Sequence, residues 1–332
     1  MSASLSKLLA TGVLHPIMQA GMPGIAGVEL AAAVSNAGGI GTLGLQDVSV
    51  WEQRLQQLKT AAVGKPVNVN LLLPYTRRKH VDGVIREQIP LVTSFWGDAA
   101  RLTRKLHRHG VFVFHQVGSK DEAAQALDAG VDAIIAQGSE AGGHVRGRKR
   151  LIDLLPEVVE LAWNTPVFAA GGVYFAKDVR HAISLGASGV STGTRFLLTR
   201  ESNAHDEYKS RLLRAEATVV TRLFGLGWVA PHRVVRNMAT DRWCRQDGSV
   251  PGWIYALNTG FSFTRKFAPF RPEVAARQRP SLPIFTPAAL IKQLPGSLAE
   301  CTALYAGEHV ARLRDIVSAE AVVQELARGL VA

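Results

Sequence analysis

Residues 137 to 150, QGSEAGGHVRGRKR, combine one histidine with flexible backbone and concentrated positive charge. His144 follows Gly142 and Gly143, and four cationic side chains come within the next six positions, Arg146, Arg148, Lys149 and Arg150. An imidazole titrates near neutrality, so it can accept a proton in catalysis or donate a hydrogen bond to an oxyanion. The stretch therefore predicts a catalytic loop around His144, with a solvated basic loop as the alternative.

Two further stretches place glycine where a phosphate could bind. FAAGGV contains Gly171 and Gly172, and STGTRF contains Gly193 and Thr194. Backbone without side chains lets N–H groups approach a phosphate, and the threonine hydroxyl adds a donor. We expect a phosphate site here, although glycines in these positions would also ease tight turns.

Carboxamides supply another set of polar groups. Asn68 and Asn70, in the stretch NVN, lie on the same side of a predicted strand because strand side chains alternate. A buried carboxamide needs a hydrogen-bond partner. A planar heterocycle with donor and acceptor edges is one candidate partner, and another loop is the alternative. Gln116 and Gln137 pose the same choice.

All of these stretches follow or end short apolar runs that predict β-strands. Eight runs alternate with amphipathic segments at helical spacing, and they cover residues 15–20, 40–45, 66–73, 89–95, 111–117, 131–137, 166–172 and 188–194. Most of the helical segments end on glycine, which adopts the left-handed conformation of a helix C-terminus at little cost. Eight units predict an α/β fold, a (β/α)8 TIM barrel, whose loops after the strands share one face and carry the site.

Beyond residue 200 the pattern becomes mainly helical. We expect residues 1–200 to form the ligand-binding barrel, and residues 201–332 to complete it and to add a helical subdomain over the active face. The aromatic stretch 243–270 is interpreted as core, with a lid and a homodimer contact as alternatives.

Composition narrows the class of protein. A chain of 332 residues, 47% hydrophobic and 20% charged, can bury a substantial core. Cys244 and Cys301 form no CxxC pair and no HExxH pattern occurs, so neither a disulfide framework nor a metal site is expected. The N-terminus has no long apolar stretch, and no run of about 18 apolar residues occurs. These features predict a cytoplasmic protein without a signal peptide or membrane span.

The net charge of +11 would suit a polyanionic partner, but no helix-turn-helix, zinc-finger or RNP pattern is present, so nucleic acid is not expected. The GxGxxG match at Gly39, Gly41 and Gly44 follows a predicted helix and lies within a strand. A dinucleotide fingerprint instead follows a strand and opens a helix. Any nicotinamide cofactor would therefore dock transiently.

Several stretches, in this order, resemble the nitronate monooxygenase family: PIMQAGM, ELAAAVSNAGGIGTLG, VNVNLLLP, QGSEAGGH, PVFAAGGV and GTRFLLTRES. The resemblance covers about residues 14–205 and extends to FMN-dependent enoyl-acyl-carrier-protein reductases. It implies an FMN-binding barrel with His144 as the catalytic histidine. The residues that it implies for FMN binding are Ala20, Gly21, Met22, Asn70, Gln137, Gly142, Gly143, Gly171, Gly172, Ser191, Thr192, Gly193 and Thr194.

The resemblance implies one of two activities on a small-molecule substrate. In the first, which we place ahead, alkyl nitronates are oxidised with O2 to carbonyl compounds and nitrite. In the second, NAD(P)H reduces FMN, which then reduces a quinone or an enoyl thioester of CoA or an acyl carrier protein (ACP). A basic binding protein that keeps the barrel without catalysis is the alternative from another class.

Two basic runs depart from the family pattern. One is VRGRKR, and the other is Arg77–Lys79 after the third strand. Because both follow strands, we expect them at the active face. There a phosphate-bearing group of CoA, ACP or NADPH would be bound by Arg77, Arg78, Arg146, Arg148 and Lys149. Solvated loop charge is the alternative.

Overall fold

The computed structural model describes residues 3–261 and 272–330, so part of the aromatic stretch 243–270 lies outside the described residues. The strands are β1 Ile17–Gln19, β2 Gly41–Leu43, β3 Val67–Leu72, β4 Leu91–Phe95, β5 Phe112–Val117, β6 Ala133–Gln137, β7 Gly143–His144, β8 Val167–Ala170, β9 Gly189–Thr192, β10 Val219–Thr221 and β11 His232–Val234. The predicted runs contain all strands of the central sheet.

In the described part of the chain, eight parallel strands form that sheet in the order β1-β9-β8-β6-β5-β4-β3-β2. A parallel bridge between Met18 and Ile40 joins its two ends, so the sheet closes. The backbone N–H of Ile40 donates to Ile17 O at 2.8 Å, and the N–H of Gln19 donates to Ile40 O at 3.0 Å. The prediction of a (β/α)8 TIM barrel is confirmed.

Helices cover the outside of the barrel and also lie in the segment over the carboxyl ends of its strands. They are α1 Ala3–Ala10, α2 Val28–Asn36, α3 Trp51–Ala61, α4 Arg78–Arg86, α5 Ala100–His107, α6 Lys120–Asp128, α7 Leu151–Ala162, α8 Ala176–Ser184, α9 Thr194–Leu197, α10 Asp206–Arg214, α11 Met238–Trp243, α12 Gly252–Gly260, α13 Pro272–Ala275 and α14 Ala319–Ala327. Short 3-10 helices span Gly296–Glu300 and Val310–Arg312. After α6 and α8, Gly130 and Gly186 have φ of 73° and 95°, so they end the helices as the sequence predicts.

Two apolar layers hold the barrel together. Inside it, the rings of Phe112 and Phe114 lie 4.9 Å apart and those of Phe114 and Phe168 lie 5.3 Å apart, and all three are buried. Outside it, the helices pack an apolar face on the strands. Full burial of such side chains contributes about 1.5–3 kcal/mol each. This core fills the barrel below the carboxyl ends of the strands.

A long segment between α9 and α14 packs over the carboxyl ends of the strands, and α14 then returns to pack against α2 and α8. Within the described residues it contains helices and also β10 and β11, which form a three-stranded sheet with β7. Its apolar cluster includes Phe224, Phe285 and Leu304. The division into 1–200 and 201–332 stays a prediction.

The described aromatic residues of 243–270 do not share one environment. Trp243 is half-buried and its indole N–H donates to Pro280 O at 2.7 Å, whereas Trp253 and Tyr255 are 55% and 47% exposed. The interpretation of this stretch as core is therefore wrong for Trp253 and Tyr255. In the described part of the chain no helix is long and apolar enough to cross a membrane.

Candidate active site

A central cavity lies at the carboxyl ends of the barrel strands. Its lining includes His144 and all thirteen residues predicted to bind the cofactor, from Ala20 to Thr194. It also includes residues that the sequence analysis missed, chiefly from the segment over the barrel: Phe95, Tyr174, Tyr208, Pro287, Ala289, Tyr305 and Gly307. The barrel thus brings together the loops after β1, β3, β6, β8 and β9.

The wall next to β1 and β3 depends on a close contact between Gly21 and Asn70. A Cβ added to Gly21 would lie 2.3 Å from the Asn70 Cβ, so the position accepts only glycine. Asn70 is 3% exposed, and no described residue donates a hydrogen bond to its Oδ1. A buried acceptor without a partner at a cavity wall indicates a ligand with an N–H or O–H donor.

Asn68 and Asn70 lie in the same strand but have different surroundings. The Asn68 amide donates to the hydroxyls of Thr42 and Thr93 at 3.0 and 2.7 Å inside the barrel. Asn68 is therefore held by the barrel core, whereas Asn70 faces the cavity.

Glycine also shapes the opposite wall, next to β8 and β9. Gly172 has φ of 71°, a conformation that side chains rarely adopt. Gly193 is different, because its φ of −102° suits any residue and an added Cβ would meet only Ala20 and Met22, at 3.7 Å. Neither strain nor close packing requires glycine at position 193. Its effect is to leave backbone open to the cavity at the start of α9, where a phosphate would bind.

Hydroxyl groups on this wall already have partners. Thr192 Oγ1 donates to Val173 O at 2.6 Å, and Thr194 Oγ1 accepts the Gly307 N–H at 3.0 Å. The Thr194 hydroxyl still has its own proton to donate. Gly142 packs against the segment over the barrel, because an added Cβ would lie 2.6 Å from the Ala306 carbonyl carbon.

Gln137 holds the loop that carries His144. Its Nε2 donates to His144 O at 2.9 Å and its Oε1 accepts the Arg146 N–H at 3.0 Å. The sequence left a planar heterocycle and another loop as partners for this carboxamide, and in the structure its partner is the loop. Gln137 therefore shapes the site through the backbone.

The imidazole of His144 is enclosed by aromatic rings. It stacks on Trp228 with centroids 4.1 Å apart and planes inclined by 21°, and the Tyr305 ring is 5.6 Å away. Its Nε2 is buried, and no described residue forms a hydrogen bond with it. Burial, with a smaller contribution from His232, holds the pKa of His144 well below its ordinary value. The imidazole is therefore neutral at physiological pH, with a nitrogen available to a ligand.

His232 supports this arrangement from β11, where its backbone pairs with His144 in β7. Its Nδ1–H donates to Ala230 O at 3.0 Å, and its Nε2 accepts the Phe224 N–H at 3.3 Å. Burial lowers the pKa of His232 to about 4. No sequence spacing links His144, Trp228 and His232, so only long-range pairing could identify this cluster.

The predicted substrate-binding cations lie away from the described lining of the central cavity. Arg78 pairs with Asp82 at 3.4 Å, and the Arg146 Nε and Lys149 Nζ each contact a glutamate, Glu122 and Glu157 respectively. The Arg77 N–H donates to His80 Nδ1 at 2.9 Å. Arg148 is exposed and forms no ion pair with any described residue. A substrate role for these five residues stays a prediction.

The structure places no group of three or more metal-binding side chains together within the described residues. The charged groups near the site form ion pairs instead, such as Arg312 with Asp178 at 2.8 Å behind Tyr174.

Sequence comparison identifies the relatives of this chain. The family model described as nitronate monooxygenase matches residues 4–93 and 75–329. A (3aS,4S,5R,7aS)-5-hydroxy-7a-methyl-1-oxo-octahydro-1H-indene-4-carboxyl-CoA dehydrogenase of Rhodococcus jostii (strain RHA1) is 35% identical over 269 residues, which cover 79% of this chain and 73% of the relative. A probable nitronate monooxygenase of Staphylococcus aureus (strain MSSA476) is 31% identical over 298 residues, covering 75% and 82%.

Solved structures with a similar fold cover nearly the whole chain. FabK from Thermotoga maritima superposes with a TM-score of 0.77 and 26% identity, covering 99% of this chain and 96% of that one. A nitroalkane oxidase from Streptomyces ansochromogenes superposes with a TM-score of 0.72 and 25% identity, covering 99% and 98%. The named relatives are oxidoreductases, and this chain is an enzyme of that class.

Proposed function

The chain belongs to the nitronate monooxygenase family, and on that basis we propose that it is an FMN-dependent oxidoreductase in which His144 exchanges a proton with the substrate. The observation that carries the proposal is the buried, unpartnered Nε2 of His144 in a cavity with glycine-rich walls. A neutral imidazole in that position can accept a proton or donate a hydrogen bond, according to its tautomer.

The residues of the central cavity fit FMN. Asn70 Oδ1 needs a hydrogen-bond donor, which a flavin ring edge would provide. Gly172, Gly193 and Thr194 would hold the phosphate at the start of α9. When bound, FMN supplies the redox chemistry by accepting electrons from the substrate and passing them to O2. The protein contributes the binding, the orientation and the proton transfer.

In the finer proposal the enzyme oxidises alkyl nitronates to carbonyl compounds and nitrite. Nε2 of His144 takes the proton from the α-carbon of a nitroalkane, and the negative charge moves to the nitro oxygens. Burial disfavours the charged imidazolium of His144. The nitronate anion formed beside it would offset this cost by stabilising the positive charge. A substrate that arrives as the nitronate instead accepts a hydrogen bond from the imidazole N–H. Trp228 and Tyr305 limit the orientations of the ring.

A second candidate is an NAD(P)H-dependent oxidoreductase of CoA or ACP thioesters, with His144 next to the thioester carbonyl. It is favoured by the 35% identity to the Rhodococcus jostii carboxyl-CoA dehydrogenase. The exposed guanidinium of Arg148 would suit a phosphate of CoA or NADPH.

Flavin spectroscopy tests both candidates. Purified protein should be yellow, and anaerobic mixing with propyl-2-nitronate should bleach the flavin if nitronate oxidation is the activity. Bleaching by NAD(P)H alone, with no response to the nitronate, would instead support the thioester candidate. Colourless protein that cannot be reconstituted with FMN would contradict both and favour a binding protein.

A further inference from the structure

Another cavity, which we call the side cavity, lies next to the central one, between α5 and α6 on the outer layer of the barrel. Its lining includes Ala100, Glu122, Gln125 and Arg146. Gln116 lines both cavities. Trp96 lines the side cavity, and its ring also lies 6.4 Å from the ring of His144. The two cavities are therefore neighbours across Gln116 and Trp96.

The imidazole of His115 lines the side cavity. It is 6% exposed. Ser94 Oγ donates to Phe114 O at 3.2 Å and lies 2.8 Å from His115 Nδ1. We take the tautomer in which Nδ1–H of His115 donates to Ser94 Oγ, since the serine proton can then go to Phe114 O, and this tautomer leaves Nε2 as an acceptor. No described residue forms a hydrogen bond with that Nε2. Burial lowers the pKa of His115 to about 4, so the acceptor is neutral near pH 7.

The charges around the side cavity also favour a donor ligand. Among the described residues that line the side cavity, Arg146 carries a positive charge. Its guanidinium pairs with Glu122 and lies 4.8 Å from the centroid of the Trp96 ring. Asp98 and Asp128 are exposed on the rim and form no ion pair with a described residue. The side cavity therefore has carboxylates without ion pairs at its rim and an ion-paired cation, so it disfavours anions.

Trp96 lies between the two cavities and has an unfavourable backbone conformation. Its φ is 70°, a region that bulky residues rarely adopt. Ring contacts with Phe95 and Trp228, at 5.1 and 5.0 Å, hold it there. Strained backbone of this kind persists where the surroundings over-determine it, often at ligand sites.

We propose that the side cavity is a distal substrate subsite, which receives an amide or ammonium group on the tail of a substrate whose reacting carbon lies at His144. The inference rests on the proposed function, because it takes His144 as the reacting end. It adds a substrate class: molecules with an N–H donor several bonds away from the reacting carbon. Trp96 and Gln116 would line the passage between the two ends.

The test compares two probes of equal length, 6-nitrohexanamide and 6-nitrohexanoate. Isothermal titration without oxygen into the holoenzyme whose FMN has been reduced beforehand measures each Kd, because a reduced flavin cannot accept electrons from the probes. We expect the amide to bind about 10-fold more tightly, because the carboxylate lacks the N–H donor and is repelled by Asp98 and Asp128. Gln125→Trp should fill the side cavity from the exposed face of α6 and remove this preference. Gln53→Trp, at an exposed position on α3, is the matched control and should keep it.

Equal Kd values for the two probes in the wild type, or a preference that survives in Gln125→Trp, would overturn the subsite. Oxidation of the nitronate of 1-nitropropane, measured in parallel, separates this result from the proposed function, because that molecule is too short to reach the side cavity. An enzyme that oxidises it but shows no amide preference refutes the subsite alone. An amide preference without nitronate oxidation supports the subsite and refutes the activity.

Discussion

The two halves of the loop from Gln137 to Arg150 have opposite surroundings. In the first half, His144 is neutral, packed between rings, and keeps a buried nitrogen without a described partner. In the second half, Arg146 and Lys149 are charged, but each contacts a glutamate of the same chain. Charge density in a sequence therefore does not measure readiness to bind a ligand. A free polar atom in an enclosed place is the better indicator.

Replacing His144 by alanine should have the largest effect. If the imidazole transfers the proton, His144→Ala should lower kcat/KM for the favoured substrate by about 10²–10⁴-fold. Flavin content should change little, because Gln137 bonds to the backbone oxygen of residue 144. Steady-state kinetics and the flavin absorbance measure the two quantities. His109→Ala, at an exposed histidine, is the control, and near wild-type kcat/KM in His144→Ala would place the proton acceptor elsewhere.

Acid should destabilise the fold through the buried, neutral histidines. Burial lowers the pKa values of His115 and His232 to about 4, from an ordinary value of 6.5 in the unfolded chain. Below pH 6.5 the unfolded chain therefore binds more protons than the folded one. The stabilisation from these neutral histidines is complete above that pH, and the free energy of unfolding decreases as the pH falls toward 4. Each histidine contributes on the order of 3 kcal/mol over this range.

Thermal unfolding followed by circular dichroism checks this prediction. We expect Tm to fall steadily from about pH 7 to about pH 4.5, as the unfolded chain takes up protons. Surface cations cannot produce that fall, because lysine and arginine stay charged throughout the range. A Tm that is constant over the same range would contradict burial of the neutral imidazoles.

Gly193→Ala should weaken FMN binding by about 10-fold or more, with little effect on stability. The methyl group would project from open backbone at the start of α9, where φ is −102° and strain is absent. Fluorescence titration of apoprotein with FMN measures the Kd. Gly252→Ala is the matched control, because its added Cβ meets no described atom within 4 Å outside its own helix and chain neighbours. Equal FMN affinity in both variants would place the phosphate away from Gly193.

Two arginines in the basic half should behave differently. Arg148→Ala should raise KM for NADPH or a CoA thioester several-fold without changing stability, because Arg148 has no ion pair within the described chain. Arg146→Ala should instead lower the free energy of unfolding by about 1 kcal/mol, since it removes the contacts with Glu122 and Trp96. An unchanged KM in Arg148→Ala would contradict a role in substrate binding and would show that Arg148 is a solvated charge on the loop.

Much of the fold and of the cavity lining could be predicted from local pattern. The strands of the barrel fall within the predicted runs, and Gly130 and Gly186 end helices as expected. Because parallel strands align their carboxyl ends, placing the loops after them also placed Asn70 and His144 at one face. The partners of Gln137 and Asn68 could not be chosen in this way, since each choice depended on contacts between distant segments.

By itself the sequence determined the barrel, the family and which backbone segments meet, because apolar periodicity and glycine placement are local properties. Only the tertiary structure decided which polar groups are available. Trp228 and His232, about 90 residues along the chain, surround His144 and make its imidazole neutral. Glu122 forms an ion pair with Arg146. Trp96 lies between two cavities, and no spacing of residues in the sequence indicates them. Burial and pairing depend on what folds against a residue, and that information is spread over the whole chain.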